Sequence, residues 1–323
     1  MWKDKSRIIQ CLKLYFSSVF VYSLGIWAFN YLQYYQRTLG VEALKTLNYL
    51  YFGYLLIAPL FYYFYADAET TNKSYLAIRG IAKYFSDFYR HEKYAQLEKQ
   101  EKVAILFMLV KVFYLPTMLG FFFSQSRYFI DNYNNFQWYV FSLALIFSVD
   151  TFIFSFGYAF EGKALKNVVK SVEPTLFGWA VTLICYPPFN SFLGRYVEWG
   201  ANDYVEFWNP ALTTIMRILV IFLLAIYVIA SIALGTKASN LTNRGIVASF
   251  PYNIIRHPAY ASKVFSWWLT LLPIINWPFA IGMCVWTAIY YFRAITEEKH
   301  LSQDPDYIDY CKKVKYRFVP GIY

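Results

Sequence analysis

Two short polar segments in the last quarter of the chain combine side chains that can bind a charged ligand. Arg256, His257 and Tyr260 share one segment, and Glu297 and Glu298 form a pair in the other. An arginine can bind a carboxylate, a glutamate can bind an ammonium or sulfonium group, and a tyrosine can contact an adenine or a ribose. If the fold joins the two segments, they would form a site for a small zwitterion.

The apolar tract 264–292 lies between the two segments and would bring them together. It is too long for one membrane helix, which needs about 20 residues, and too short for two full spans. Pro273 and Pro278 flank its middle, and proline interrupts a helix because it lacks a backbone donor. We therefore expect a tight helical hairpin that places Arg256 and Glu297 on the same side of the membrane.

The composition indicates a membrane protein. Hydrophobic residues make up 58% of the chain and charged residues 15%, against about 45–50% and 25% in soluble domains. These values exclude a disordered chain and a disulfide scaffold. The four cysteines are far apart and have no metal-ligand spacing, so we predict no metal site.

Six further segments are long and apolar enough to cross a bilayer. Together with the hairpin they predict an all-α polytopic membrane protein with about eight membrane-embedded helices. The six segments are 14–36, 46–66, 103–124, 136–160, 175–194 and 211–234.

The distribution of lysine and arginine predicts the orientation. Of the 30 basic residues, 24 lie on one set of loops, and such loops are cytoplasmic. Both termini and the site at the ends of the hairpin are therefore expected on the cytoplasmic face. The charges flank apolar spans and form no soluble basic face, so nucleic acid is not an expected partner. The basic loops are 1–13, 67–102, 161–174, 235–263 and 293–323.

The chain divides, on this pattern, into N-terminal membrane helices over 1–234 and a catalytic region over 235–323. The insertion 67–102 carries apolar residues at helical spacing. This spacing predicts an amphipathic helix, which either rests on the membrane interface or forms a solvated connector.

Two charged residues fall inside predicted spans. Lys111 and Asp150 lie at similar depths in consecutive spans. Neighbouring antiparallel helices usually pack together, so we expect the two side chains to form a buried ion pair.

The end of the chain begins with a helix-start signal. Asp304 is a good N-cap and Pro305 suits the first helical position. The basic residues of the tail are expected to contact anionic lipids; they are Lys312, Lys313, Lys315 and Arg317.

The order of these elements resembles the superfamily of isoprenylcysteine carboxyl methyltransferases and phospholipid methyltransferases, which are integral membrane enzymes. The similarity covers about residues 240–323. It consists of an Arg-His-Pro-x-Tyr segment, an apolar hairpin, a Glu-Glu pair, and a short helix that ends near a proline. In this chain those elements are Arg256 to Tyr260, residues 264–292, Glu297-Glu298, Tyr307 with Tyr310, and Pro320.

The resemblance implies an S-adenosylmethionine-dependent methyltransferase whose hydrophobic acceptor enters from the bilayer. It also implies that a Glu-Glu pair and the Arg-His-Pro-x-Tyr segment line the cofactor site. Arg256 and Glu297 would then be the catalytic candidates, and Arg256 would contact the cofactor or orient the acceptor. The implied cofactor-binding residues are Tyr252, Arg256, His257, Tyr260, Glu297 and Glu298.

Two alternatives stay open. Membrane sterol reductases have a similar C-terminal region, with an Arg-His-Pro-like segment and an ending similar to Tyr310-Cys311 and Tyr316 to Tyr323. They would imply NADPH and reduction of a sterol or isoprenoid double bond. The other alternative is a non-catalytic lipid-binding scaffold. The sequence does not predict the acceptor or the oligomeric state.

Overall fold

The computed structural model describes residues 2–65, 72–91, 96–132 and 136–322. Almost all of its regular structure is helical. In a helix, each apolar segment satisfies its backbone N–H and C=O groups by hydrogen bonds within the segment, as a bilayer requires. The helices are α1 (Trp2–Tyr31), α2 (Gln33–Thr38), α3 (Val41–Tyr65), α4 (Lys73–His91), α5 (Lys99–Asp131), α6 (Trp138–Ala159), α7 (Leu176–Leu183), α8 (Phe189–Leu193), α9 (Pro210–Leu234), α10 (Pro258–Leu271), α11 (Trp277–Leu301) and α12 (Pro305–Lys313).

Among the described residues, six helices are long and apolar enough to cross a membrane. They are α1, α3, α5, α6, α9 and α11. The predicted fold class, an all-α polytopic membrane protein, is confirmed.

The predicted span 175–194 is wrong as a single helix. The chain forms two short helices there, α7 and α8, joined by a turn. Pro187 and Pro188 lie in that turn, and because neither has a backbone N–H, a helix cannot run through them. The predicted span 14–36 is also interrupted, since α1 ends at Tyr31.

The predicted hairpin is confirmed. A single 3₁₀ turn, Leu272–Ile274, follows α10, and two residues separate this turn from α11. Asn276 caps α11 by accepting a hydrogen bond from the backbone N–H of Phe279 at 2.9 Å. With 14 residues, α10 is shorter than α11, which has 25. The C-terminal part of α11 passes the start of α10, where Glu298 contacts His257.

The chain forms two compact units, residues 1–124 and 125–323, and the second contains the hairpin. Its core joins α6 and α9 through buried Tyr139, Leu143, Ile146, Val220 and Leu224. α10 packs along α9, so the hairpin rests on this core.

The predicted helix of the insertion is present in the first unit as α4. Leu76 and Ala77 are buried against Ala104 of α5, whereas Ile81 and Phe85 on α4 are exposed. The parts of the insertion at 67–71 and 92–95 lie outside the described residues.

The two residues of the predicted ion pair, Lys111 and Asp150, belong to different units, and each has contacts within its own unit. Asp150 accepts hydrogen bonds from Tyr227 at 2.6 Å and from Ser231 at 2.5 Å, both on α9. Lys111 lies over the ring of Tyr22, 5.0 Å from its centroid. Two hydroxyl donors thus satisfy the Asp150 carboxylate within its own unit.

A two-stranded antiparallel ribbon, which the sequence did not predict, joins two loops beside the hairpin. β1 (Ser171–Val172) pairs with β2 (Thr242–Asn243), with Ser171 opposite Asn243 and Val172 opposite Thr242. Strands of two residues carry little β signal. The ribbon holds the segment before α7 against the segment after α9.

The end of α6 packs tightly against the turn that follows α9. A Cβ atom added to Gly157 would overlap the backbone carbonyl oxygen of Ala238. The Gly157 carbonyl also accepts a hydrogen bond from the buried guanidinium of Arg244 at 2.6 Å. Close backbone packing therefore requires glycine at this position.

Gly157→Ala is expected to destabilise the protein by about 1–3 kcal/mol, because a backbone oxygen cannot move aside as a side chain can. Thermal unfolding of the detergent-purified protein would measure this loss. Gly162→Ala is the matched control, since an added Cβ there would meet nothing within 4 Å. Equal melting temperatures for the two variants would contradict this packing.

Candidate cofactor-binding site

The two ends of the hairpin meet at the buried carboxylate of Glu298. His257 Nε2 lies 3.1 Å from Glu298 Oε1. Arg256 Nη1 lies 3.3 Å from Glu298 Oε2, and Arg317 Nε lies 3.0 Å from the same oxygen. A buried carboxylate is stable only when it is paired and hydrogen-bonded. This Glu298 cluster therefore ties α10, α11 and the C-terminal tail together.

Backbone hydrogen bonds reinforce the attachment of the tail. The N–H groups of Arg256 and His257 donate to the carbonyl oxygens of Tyr316 and Arg317, both at 2.9 Å. The Arg256 Nε donates to the Val314 carbonyl at 2.8 Å. Arg256 is thereby hydrogen-bonded to the tail through both its backbone and its side chain.

Glu297 has a different environment from its neighbour. Tyr260 donates a hydrogen bond from its hydroxyl to Glu297 Oε2 at 2.7 Å. The ring of Tyr260 stacks on His257, with centroids 5.4 Å apart and planes 6° from parallel. Successive residues of a helix point about 100° apart. Glu298 accordingly enters the cluster, while Glu297 faces another side of α11.

That side of α11 borders an open polar pocket. Its charged and aromatic lining comprises Glu173, Tyr260, Arg293, Glu297 and His300. Its other polar side chains are Thr182, Ser239, Asn240, Thr242 and Thr296.

Arg293 supplies the positive charge of the pocket. Only 5% of its surface is exposed, and its guanidinium lies 4.9 Å from the ring centroid of Tyr260 and 5.7 Å from that of Tyr290. Its Nη2 donates to Asn240 Oδ1 at 2.5 Å. No carboxylate lies within 4 Å of it in the described part of the chain. A buried guanidinium without a carboxylate partner is suited to bind a ligand's carboxylate.

One buried amide donor in the pocket also has no partner. Asn240 is 5% exposed, and its Nδ2 makes no hydrogen bond among the described residues. An unsatisfied buried donor costs about 1–3 kcal/mol. A ligand that accepts a hydrogen bond from Asn240 would recover that energy.

The C-terminal helix α12 closes the other side of the site. Tyr307, Tyr310 and Val314 form a buried cluster with Tyr252, and the Tyr310 hydroxyl donates to the Tyr252 carbonyl at 2.7 Å. Burial, and next the negative charge of Glu297, hold the pKa of Tyr252 well above its ordinary value. Tyr252 therefore stays neutral close to Glu297.

The start of α12 confirms the predicted cap. Asp304 Oδ1 accepts a hydrogen bond from the Asp306 N–H, and Pro305 takes the first helical position. Asp304 Oδ2 accepts hydrogen bonds from Lys170 Nζ and from Asn243 Nδ2, both at 2.9 Å. α12 is thus fastened to the ribbon of β1 and β2.

The structure divides the six predicted cofactor-binding residues into two groups. Tyr260 and Glu297 line the pocket. Arg256, His257 and Glu298 form the cluster that holds the tail, and Tyr252 packs against α12. The two groups meet where His257 stacks on Tyr260.

Several pocket residues carried a signal that the sequence reasoning did not use. Arg293, Glu297 and His300 recur at intervals of four and three, which places them on one face of a helix. Glu173 and Asn240 carried no such signal, because the ribbon and the loops around it bring them to the pocket.

Comparison with known proteins supports the methyltransferase resemblance. Residues 211–304 match the model of the phospholipid methyltransferase family. This part of the chain is similar to membrane methyltransferases. The match is less than a third of the chain, and it includes α10, Arg293 and the Glu-Glu pair. No curated protein matches the chain.

The match supports a coarse function, that of a membrane methyltransferase with a lipid-like substrate. The residues before 211, including Glu173 and α7, lie outside the matched region.

The two neighbouring glutamates are expected to respond differently to loss of charge. Glu298→Gln should destabilise the protein by about 3 kcal/mol, because it leaves buried cations without their counter-charge. Glu297→Gln should cost about 1 kcal/mol, since it weakens one charge-assisted hydrogen bond. Thermal unfolding in detergent would compare the two variants with the parent protein. A larger loss for Glu297→Gln would contradict these roles.

The Lys170–Asp304 contact predicts a pH dependence. Burial acts to raise the pKa of Asp304, but hydrogen bonds from Lys170 and Asn243 outweigh it and hold the pKa below the ordinary 3.8. Its contribution to stability is therefore complete above pH 3.8 and is lost as the pH falls through the lower folded-state pKa.

Asp304→Asn, which keeps the cap acceptor, should have a lower melting temperature than the parent protein at pH 6. The two melting temperatures should converge well below pH 3.8. Tryptophan fluorescence during heating at several pH values would follow this difference. A difference that stays constant with pH would show that the charge of Asp304 contributes nothing.

Proposed function

We propose that the protein is an S-adenosylmethionine-dependent methyltransferase that binds its cofactor in the pocket beside α11 and methylates a lipid-like acceptor. The observation that carries this proposal is the set of unpaired charges in the pocket. Arg293, Glu297 and Glu173 all line it, and none has an oppositely charged partner within 4 Å among the described residues.

These charges fit the charged groups of the cofactor. Arg293 would bind the carboxylate of the methionyl part. Glu297, oriented by Tyr260, would accept hydrogen bonds from the ammonium group or the ribose hydroxyls. Asn240 would satisfy its free Nδ2 on an acceptor atom of the ligand.

The chemistry requires little acid–base assistance from the protein. The cofactor supplies a methyl group that its sulfonium already activates. The pocket residues would position the methyl donor, and the packed tail would exclude water from the site. Arg256, which the resemblance offered as a catalytic residue, is assigned here a positioning role, because its side chain bonds to Glu298, Val314 and Cys311.

The acid-rich lining also distinguishes the proposal from its alternatives. Two carboxylates would repel the phosphates of NADPH, which disfavours the sterol reductase alternative. A lipid-binding scaffold would have no need for unpaired buried charges, which are costly unless a ligand compensates them.

The orientation and the partners are part of the proposal. The basic loops favour a cytoplasmic face for the site, and the acceptor would enter from the bilayer. Lys312, Lys313 and Lys315 would contact anionic lipids. Arg317 is no longer expected to contact lipids, because its Nε donates a hydrogen bond to Glu298.

Calorimetric titration of the detergent-purified protein with S-adenosylhomocysteine, and separately with NADPH, tests the proposal. We expect S-adenosylhomocysteine to bind and Glu297→Gln to weaken that binding about tenfold or more, since it removes a charge-assisted contact. Glu206→Gln is the matched control, because Glu206 is exposed and lies outside the pocket.

Binding of NADPH alone would overturn the proposal in favour of a reductase. Binding of neither ligand to a correctly folded protein would favour the scaffold. Equal affinities for Glu297→Gln and Glu206→Gln would place the site elsewhere.

A further inference from the structure

Glu173 is a buried carboxylate that neither the family match nor the sequence motifs include. It directly follows β1 and lines the pocket. In the sequence it precedes residues 211–304, which match the family model. Only 4% of its surface is exposed. A buried carboxylate without a cation is costly, so its retention in a pocket calls for a ligand.

The surrounding backbone fixes the position of Glu173. Its N–H donates to the Leu241 carbonyl at 2.8 Å, and its carbonyl accepts from Trp179 Nε1 at 2.8 Å. Its Oε1 accepts hydrogen bonds from the N–H and the hydroxyl of Thr175, at 2.9 and 2.5 Å. A Cβ on Gly178 would lie 2.5 Å from its Cγ. The glycine therefore leaves room for this side chain.

The second oxygen of Glu173 remains available to a ligand. Oε2 makes no hydrogen bond to any described residue, and no cation lies within 4 Å of the carboxylate in those parts of the chain. With Glu297, it gives the pocket two carboxylates against one guanidinium, Arg293. Asn240, which is buried and has an unpartnered Nδ2, independently indicates that a ligand completes this pocket.

We propose that Glu173 makes the pocket select the cationic cofactor over the product that has lost its charge. The inference rests on the proposed function, since it identifies the ligand as S-adenosylmethionine. In the transfer, a lone pair of the acceptor bonds to the methyl carbon, and the electrons of the broken carbon–sulfur bond stay on sulfur. The sulfonium becomes a neutral thioether, so the cofactor loses one positive charge.

The charge change sets the size of the expected effect. S-adenosylmethionine carries a net positive charge and S-adenosylhomocysteine carries none. The field of a carboxylate inside a pocket acts on the sulfonium but little on a neutral sulfur. At the effective dielectric constant of protein sites, one such charge several ångströms away changes affinity by about tenfold or more. Glu173 would thereby hold the substrate and release the product.

The test measures dissociation constants for S-adenosylmethionine and S-adenosylhomocysteine with the full-length protein in detergent. Glu173→Gln removes the charge but keeps an oxygen to accept from Thr175. We expect this variant to bind S-adenosylmethionine about tenfold more weakly and S-adenosylhomocysteine within about twofold of the parent. Glu206→Gln, at an exposed position, should change neither constant.

The inference would be overturned if the ratio of the two dissociation constants were the same in Glu173→Gln and in the parent. That result would leave the proposed function intact. Failure of the parent protein to bind either ligand would instead refute the proposed function.

A second measurement covers the case in which Glu173→Gln does not fold. Sinefungin carries an amine-bearing carbon in place of the methylated sulfur and is cationic there. The parent protein should bind it more tightly than S-adenosylhomocysteine, and equal affinities would also overturn the inference.

Discussion

Glu298 lies buried where the two ends of the hairpin meet, and a buried carboxylate requires opposite charge around it. Arg256 provides that charge from the start of α10 and Arg317 provides it from the tail, and His257 Nε2 lies at hydrogen-bonding distance from the same carboxylate. The fold therefore brings together three segments that are distant in sequence. The position of Tyr260, which stacks on His257, depends on this cluster, and through Tyr260 so does the pocket.

The Glu-Glu pair shows how one helix serves both stability and binding. Adjacent helical residues point about 100° apart, so Glu298 faces its cations while Glu297 faces the pocket. Arg293 and His300 share the face of Glu297 and also line the pocket. The pocket can therefore keep its charges unpaired, because the cluster beside it is fully paired and rigid. On the proposed function, these unpaired charges would bind the charged groups of a zwitterion.

The membrane helices, the hairpin and the Asp304 cap were predictable, because apolar length, proline position and capping chemistry are local signals. The helix break at Pro187 and Pro188 was also predictable from the two prolines. The apolar composition of 175–194 nevertheless favoured a single span. The hydroxyl donors to Asp150 were not predictable, because they come from α9, which is distant in sequence. Glu173 reaches the pocket only through tertiary pairing of two-residue strands, which leave no periodic pattern.

A structure of the detergent-solubilised protein with bound S-adenosylhomocysteine tests the central claim most directly. The account predicts ligand density in the pocket, with its carboxylate at Arg293 and its polar groups at Glu297, while Glu298 keeps Arg256, His257 and Arg317. Density that instead displaces these three residues and contacts Glu298 would contradict it. The cluster would then be the binding site, and the pocket beside α11 would have another role.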